Sequence, residues 1–170
     1  MYINKITFHS LSAILFILFT LVSANSSANE TSVEAPNFTL KSNNTKNIKL
    51  SELRGQVVLI NFWASWCGPC RQEMPELNKL YAKYKDLGFT IMGVNVEENP
   101  TEALKIIKDD KINFPILFDS ENKVSQLYEV TAMPTSVLVS RSGHIRYIHR
   151  AYKPDDIEKY KKWVKELIRE

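Results

Sequence analysis

Apolar residues follow three rhythms along this chain: one solid block near the start, short β-branched runs through the middle, and spacings of three and four between and after those runs. The block is residues 11–22 (LSAILFILFTLV), which carry no charge; Lys5 precedes it, and the small residues Val22, Ser23 and Ala24 close it. A positive n-region, an apolar core and a small-residue site predict a signal segment over residues 1–24 that is removed on export. The alternative is an uncleaved anchor. Counted from Ile6, the stretch approaches the roughly 20 residues that span a bilayer, although Thr7, His9, Ser10 and Ser12 dilute its first half. Either outcome puts the rest of the chain outside the cytoplasm, in the periplasm or at the outer face of the cytoplasmic membrane. No cysteine lies near the end of the block, so a lipid-modified terminus is not expected.

Residues 25–34 (NSSANETSVE) are polar and without apolar period, which predicts a flexible tether, and one domain is expected over residues 35–170. A short edge strand is expected at 38–40, a turn or brief helix at 51–53, and a buried strand at 57–62 (VVLINF). From Pro69, the residues Met74, Leu77, Leu80, Tyr81, Tyr84 and Leu87 recur at helical spacing until Gly88 ends the run. A strand at 90–96, a helix at 101–109, a strand at 114–118 and a helix at 123–128 continue the alternation. Residues 136–140 and 145–149 flank Arg141, Ser142, Gly143 and His144, which is the signature of a hairpin rather than a crossover. Pro154 opens a last helix, acidic at its start and basic later, with Ile157, Tyr160, Val164, Leu167 and Ile168 as its apolar stripe. The fold class is therefore α/β, a central mixed sheet with helices on both faces.

Charge excludes one class of partner. The formal net charge is +3 and falls to +2 without residues 1–24, which hold Lys5 and no acidic residue. Lys159, Lys161, Lys162 and Lys165 are interleaved with Glu158 and Glu166, a solvated helix face rather than a nucleic-acid surface. No nucleic acid is expected as a partner, and the chain is read as a monomer.

The only two cysteines, Cys67 and Cys70, stand in NFWASWCGPCRQEMP, residues 61–75. A bridge between them closes so short a loop that it constrains the unfolded chain weakly, which argues against a structural staple. The pair lies between a buried strand and a long helix. That position puts Cys67 at a helix N-terminus, where unpaired backbone N–H groups and the helix dipole stabilise a thiolate. Pro69 suits the first turn, having no N–H to lose. Cys67 is the expected nucleophile on a disulfide, and Cys70, three residues on, the resolving thiol.

WCGPC after VVLINFWAS, with Met133, Pro134 and Thr135 before SVLVS, resembles the thioredoxin superfamily. The signal segment, the wide gap between Cys70 and Pro134 and the extended WCGPCRQEMP are similar to the exported TlpA/ResA branch of bacterial thiol-disulfide oxidoreductases. The resemblance implies a thioredoxin-like fold with an extra strand and helix inserted between the cysteine helix and Pro134. It implies that Met133–Pro134 is cis, facing the cysteines, and that Trp66, Gly68, Pro69, Met133 and Pro134 form the substrate surface. Asn61 stands where cytoplasmic thioredoxins carry a buried aspartate, and an amide cannot take a proton. Glu73 shares a helix face with Cys70, and the resemblance assigns it that proton. Pro75 is read as a kink, and Trp63 and Trp66 as packing beneath and beside the cysteines; Glu97 and Glu98 follow a strand end, where they could border the site, but ordinary loop solvation is the preferred reading.

Two other chemistries compete. Cys67 and Cys70 offer two soft ligands to Cu(I), making copper delivery the alternative, but His144 and His149 belong to the distant hairpin and no second C-x-x-C exists. No metal and no cofactor is expected. Peroxiredoxins resemble one another in P-x-x-x-[ST]-x-x-C, whereas Ile60 and Trp63 occupy the proline and hydroxyl positions before Cys67. The Gly-Pro dipeptide is similar to that of reducing thioredoxins, so a reductase is expected, recharged by a transmembrane thiol electron donor. Its substrates are expected to be disulfides of exported proteins, apocytochrome c during cytochrome c maturation among them; Thr135, where cytochrome-dedicated relatives carry an acid, points to broader use.

Overall fold

The computed structural model describes residues 33–170. The expected signal segment and all but the last two residues of the expected tether lie outside the described residues. The chain begins with two short strands, β1 (Thr39–Lys41) and β2 (Asn47–Lys49), and a 3₁₀ turn at Leu50–Leu53. Then come β3 (Val57–Trp63), α1 (Gly68–Tyr84), β4 (Phe89–Asn95), α2 (Thr101–Asp109), β5 (Ile116–Phe118) and α3 (Lys123–Leu127). The hairpin β6 (Thr135–Val139) and β7 (Ile145–Arg150) precedes the closing helix α4 (Asp156–Ile168).

VVLINF is the centre of the molecule. Every residue of β3 is buried, as its β-branched, apolar composition requires of a strand covered on both faces. It pairs parallel with β4 and antiparallel with β6, giving a mixed sheet of order β5-β4-β3-β6-β7. Side chains alternate across it. Val57, Leu59 and Trp63 join Met74, Leu77, Ile107, Ile157 and Val164 under α1, α2 and α4, whereas Val58, Ile60 and Phe62 face Phe38, Leu50, Val124 and Tyr128. The same period puts Asn61 on the α1 side.

The insertion between the cysteine helix and Pro134 is α2 and β5, the latter added parallel to the outer edge of β4. Gly93 lets it approach: a Cβ there would stand 2.6 Å from Ile116 Cδ1 and 2.9 Å from Phe114 Cε2. The second face is covered chiefly by the β1-β2 hairpin and the short α3, so helices are unequally divided between the faces. Among the described residues no helix is long and apolar enough to cross a membrane.

Several segments differ from the sequence reading. Strand β2 was not expected; Leu40 pairs with Ile48, and both lean on the second core cluster. Phe114 and Pro115 stay outside β5, although the Pro115 carbonyl still accepts from Gly93 N–H at 2.9 Å. Val33 and Glu34, expected at the end of a tether, lie against the β6-β7 turn: Ile145 N–H donates to the Val33 carbonyl at 2.9 Å, and Arg54 pairs with Glu34 at 2.9 Å. As the spacing predicts, helix α1 continues past Pro75; it then passes into a 3₁₀ turn at Lys85–Leu87, closed by Gly88 in the left-handed region at φ 80°.

Candidate active site

Cys67 is the N-cap of α1. Its Sγ accepts from Cys70 N–H at 3.2 Å, so a donor left unpaired by the helix start is aimed at the sulfur that must carry negative charge. The two cysteines form a disulfide with Cα atoms 5.3 Å apart. Cys67 retains 6 % exposure and Cys70 none, so a partner can reach only the first sulfur. Pro69 lies in the first helical turn, and Gly68 faces open space, with nothing within 4 Å of where a Cβ would be.

A cleft of about 480 Å³ opens beside Cys67, lined by Trp66, Pro69 and the segment Val130, Thr131, Ala132 and Met133. The Met133–Pro134 peptide bond is cis. Thr135 Oγ donates to the Ala132 carbonyl at 2.7 Å, tying the turn, and Ala151 N–H donates to the Pro134 carbonyl at 2.8 Å. The Met133 N–H and carbonyl make no hydrogen bond among the described residues. Trp63 and Trp66 differ in exposure: Trp63 is fully buried, and Trp66, 70 % exposed, lines the cleft together with Cys67.

Beneath the disulfide lies an acid. Glu73 is completely buried one helical turn after Cys70. Its Oε2 accepts from Asn61 Nδ2 at 2.8 Å and its Oε1 from the Tyr160 hydroxyl at 2.8 Å, with Ser136 Oγ at 3.5 Å. Asn61 and Ser136 reach it together because they are directly paired across β3 and β6, and Asn61 Nδ2 also donates to Ser136 Oγ at 3.0 Å. Burial drives the Glu73 pKa up from 4.5; the bonds from Tyr160, Asn61 and Ser136 pull back, Asp156 adds a small upward push, and the balance is about 7.

Glu97 corrects the sequence reading. Instead of being solvated, its carboxylate clamps the loop that leads into the cysteines: Oε2 accepts Ser65 N–H at 2.7 Å and Asn95 Nδ2 at 2.8 Å, and Oε1 accepts Ser65 Oγ at 2.6 Å. Burial opposes its charge, but the bonds from Asn95 and Ser65 prevail and hold its pKa below the usual value. One signal was present in the sequence, since an acid just past the C-terminal end of a parallel strand lies at the sheet edge where α/β folds place their sites. Glu97→Ala removes three hydrogen bonds, two that hold Ser65 in the loop and one to Asn95 at the end of β4. It is expected to cost about 1–3 kcal/mol, read as a lower urea midpoint of the oxidised protein, and to raise KM for a disulfide substrate several-fold. Glu98, by contrast, is exposed. Tyr160 and Ser136 were also missed as site residues, Tyr160 having been read only as part of a stripe; a buried tyrosine hydroxyl that needs a partner was the available signal.

A disulfide at the N-terminus of the helix that follows the central strand of this mixed sheet, facing a cis X-Pro bond, defines a thioredoxin-like thiol-disulfide oxidoreductase. The chain belongs to the AhpC/TSA family, whose model matches residues 31–148. Within that family it is similar to the ResA proteins. Thiol-disulfide oxidoreductase ResA of Bacillus subtilis (strain 168) is 34% identical over 133 residues, covering 78% of this chain and 74% of that protein. Thiol-disulfide oxidoreductase ResA of Geobacillus kaustophilus (strain HTA426) is 33% identical over 156 residues, covering 91% and 90%. Among solved structures, a putative thiol:disulfide interchange protein DsbE from Chlorobium tepidum superposes with a TM-score of 0.77 at 36% identity, covering 81% of this chain and 96% of that one. StoA from Bacillus subtilis superposes with a TM-score of 0.66 at 29% identity, covering 78% and 98%. The enzyme class expected from the sequence, a thiol-disulfide oxidoreductase with a C-x-x-C centre, is the one that these relatives share by name.

Proposed function

We propose that this protein reduces disulfides of exported proteins through a Cys67/Cys70 cycle in which Glu73 handles the proton of Cys70. The observation that carries the reading is the division of labour at the site: one sulfur at the mouth of a cleft, the other sealed, and a caged carboxyl one turn below the sealed one. In the reduced enzyme, the Cys67 thiolate attacks one sulfur of the substrate disulfide. That bond breaks, the other substrate sulfur leaves as a thiolate, and a mixed disulfide forms. Cys70 then gives its proton to the Glu73 carboxylate and attacks Cys67 Sγ. The second substrate sulfur is expelled, two electrons having passed to the substrate and the Cys67–Cys70 disulfide having formed.

Substrate is held by the cleft. Exposed Trp66 offers an apolar face, and the unused N–H and carbonyl of Met133 can pair with an extended backbone as an added strand. A peroxidase finds less support, because Ile60 and Trp63, at the positions where that chemistry places proline and a hydroxyl, are fully buried apolar residues. The apolar block at residues 11–22 supports export, and an oxidising compartment then requires a transmembrane thiol donor to return the two electrons. Thr135 is consumed by the turn rather than presented to the cleft, which favours a broad range of exported disulfides over apocytochrome c alone.

The reduction potential tests direction: a value near that of thioredoxin, about −270 mV, is expected, and one near the strong oxidants, about −120 mV, would reverse the reading. Mixed disulfides trapped by Cys70→Ser in the native envelope test range. Several exported partners are expected; apocytochrome c alone would make maturation the dedicated role.

A further inference from the structure

Tyr160 is a stripe residue of α4, and its ring packs as one: it is 1 % exposed, edge-on to His149 at 5.6 Å and tilted against Trp163 at 5.8 Å. Its hydroxyl does something else. It crosses from the last helix to donate to Glu73 Oε1 at 2.8 Å, bridging positions 87 residues apart. A buried hydroxyl needs a partner, and the charged form of a carboxyl is the better acceptor, so this bond favours ionised over neutral Glu73.

The frame around Tyr160 allows it little movement. Trp163 is stacked on Tyr147 at 4.6 Å, and the first turn of α4 is tied down through Asp156. Asp156 Oδ2 accepts Lys153 N–H at 2.8 Å and lies 3.1 Å from His149 Nε2, while Oδ1 accepts Lys159 Nζ at 2.6 Å. A donor on a rigid helix, locked by its neighbours, is what holding a reacting group in one geometry requires.

We propose that Tyr160 is a positioning residue for the exchange reaction, its hydroxyl holding the Glu73 carboxylate and so setting the pH at which Glu73 can take the proton of Cys70. The inference rests on the role proposed above for Glu73. Glu73, one helical turn after Cys70, accepts from Asn61 on β3, Ser136 on β6 and Tyr160 on α4; Asp156 on α4 pushes its pKa up, and Tyr152, before α4, feels its charge. Of the three hydrogen bonds that oppose the effect of burial on Glu73, those from Tyr160 and Asn61 are short, at 2.8 Å each, and only the one from Tyr160 comes from the closing helix.

The test reads the resolving step alone. Wild type, Tyr160→Phe, Glu73→Gln and the double variant are loaded at Cys67 with glutathione, and release of glutathione is followed against pH. In wild type the rate rises as Glu73 ionises. In Tyr160→Phe the midpoint of that rise is expected to move up by roughly one pH unit, a tenfold change in the ionisation ratio. Glu73→Gln is expected to lose the limb, and the double variant to match Glu73→Gln. A Tyr160→Phe profile superimposed on wild type, with Glu73→Gln clearly different, would overturn the role of Tyr160 and leave that of Glu73 standing. A Glu73→Gln profile superimposed on wild type would overturn both. Should Tyr160→Phe fail to fold, 3,5-difluorotyrosine at position 160 keeps the ring and strengthens the donor, and the midpoint is expected to move down; an unmoved midpoint counts against the proposal.

Discussion

Cys67→Ser is expected to abolish disulfide reduction, with a loss of at least about a thousandfold, as removal of a catalytic nucleophile brings. Three features of the fold converge on this sulfur and on no other atom. It alone of the pair is reachable, it alone caps the helix and accepts Cys70 N–H at 3.2 Å, and it alone lines the cleft with Trp66 and Met133. A serine hydroxyl placed there keeps the cap, since oxygen accepts from a backbone N–H at least as well as sulfur, so the fold should survive while the reaction does not. Cys70→Ser should behave differently. The first attack proceeds, the mixed disulfide cannot be resolved, and one equivalent of substrate stays bound through Cys67. Mass spectrometry of the intact protein after mixing with a model disulfide checks both outcomes: a single adduct is expected for Cys70→Ser and none for Cys67→Ser. An adduct on Cys67→Ser, made by Cys70, would show that the sealed sulfur opens to substrate and would invert the assignment.

The parts of this fold that were legible are those whose structure follows from neighbouring residues. VVLINF reads as a buried strand because every residue in it is apolar or, at Asn61, small enough to share a buried polar cage; the residues from Pro69 onward read as a helix from their spacing. WCGPC between the two announces its chemistry because a strand-to-helix junction creates the N-cap by itself. What stayed hidden depends on partners distant in sequence. Strand β2 is three residues whose pairing follows from the cover that β1 and Leu50 provide, and no local pattern marks it. Glu97 looks like a surface acid until Ser65, 32 residues earlier, is brought beside it. Tyr160 looks like one more apolar position until the sheet and α4 together deliver it to Glu73. Glu73 was singled out through the resemblance, because Asn61 stands where cytoplasmic thioredoxins carry a buried aspartate; the structure buries Glu73 and makes Asn61 one of its hydrogen-bond donors.

Glu73→Gln is expected to change how stability depends on pH. In the oxidised fold the Glu73 pKa stands at about 7, against 4.5 for the ordinary group. Below pH 4.5 the carboxyl is protonated whether the chain is folded or not, and the group costs nothing. Between 4.5 and 7 the unfolded chain releases the proton while the folded protein keeps it, so stability falls as pH rises. Above about 7 the full difference is lost, on the order of 3 kcal/mol. Asp156 and Glu97 do not blur this window. Asp156, held down to about 2 mainly by Lys159 and the Lys153 backbone against the effect of burial, and Glu97, also lowered, both lose their contributions only as pH falls through the acidic range. Urea unfolding of the oxidised proteins should therefore give curves that converge near pH 4.5 and part steadily toward pH 8, with the glutamine variant the more stable at the upper end. A constant gap across that range would mean that Glu73 is ionised throughout in the fold. The same titration bears on the proposed cycle: an acid half ionised near pH 7 is matched both to accepting the Cys70 proton when the mixed disulfide resolves and to returning it when the disulfide is reduced again. The stability lost above pH 7 is thus the energetic counterpart of keeping a carboxyl buried where the proposed cycle needs a proton to come and go.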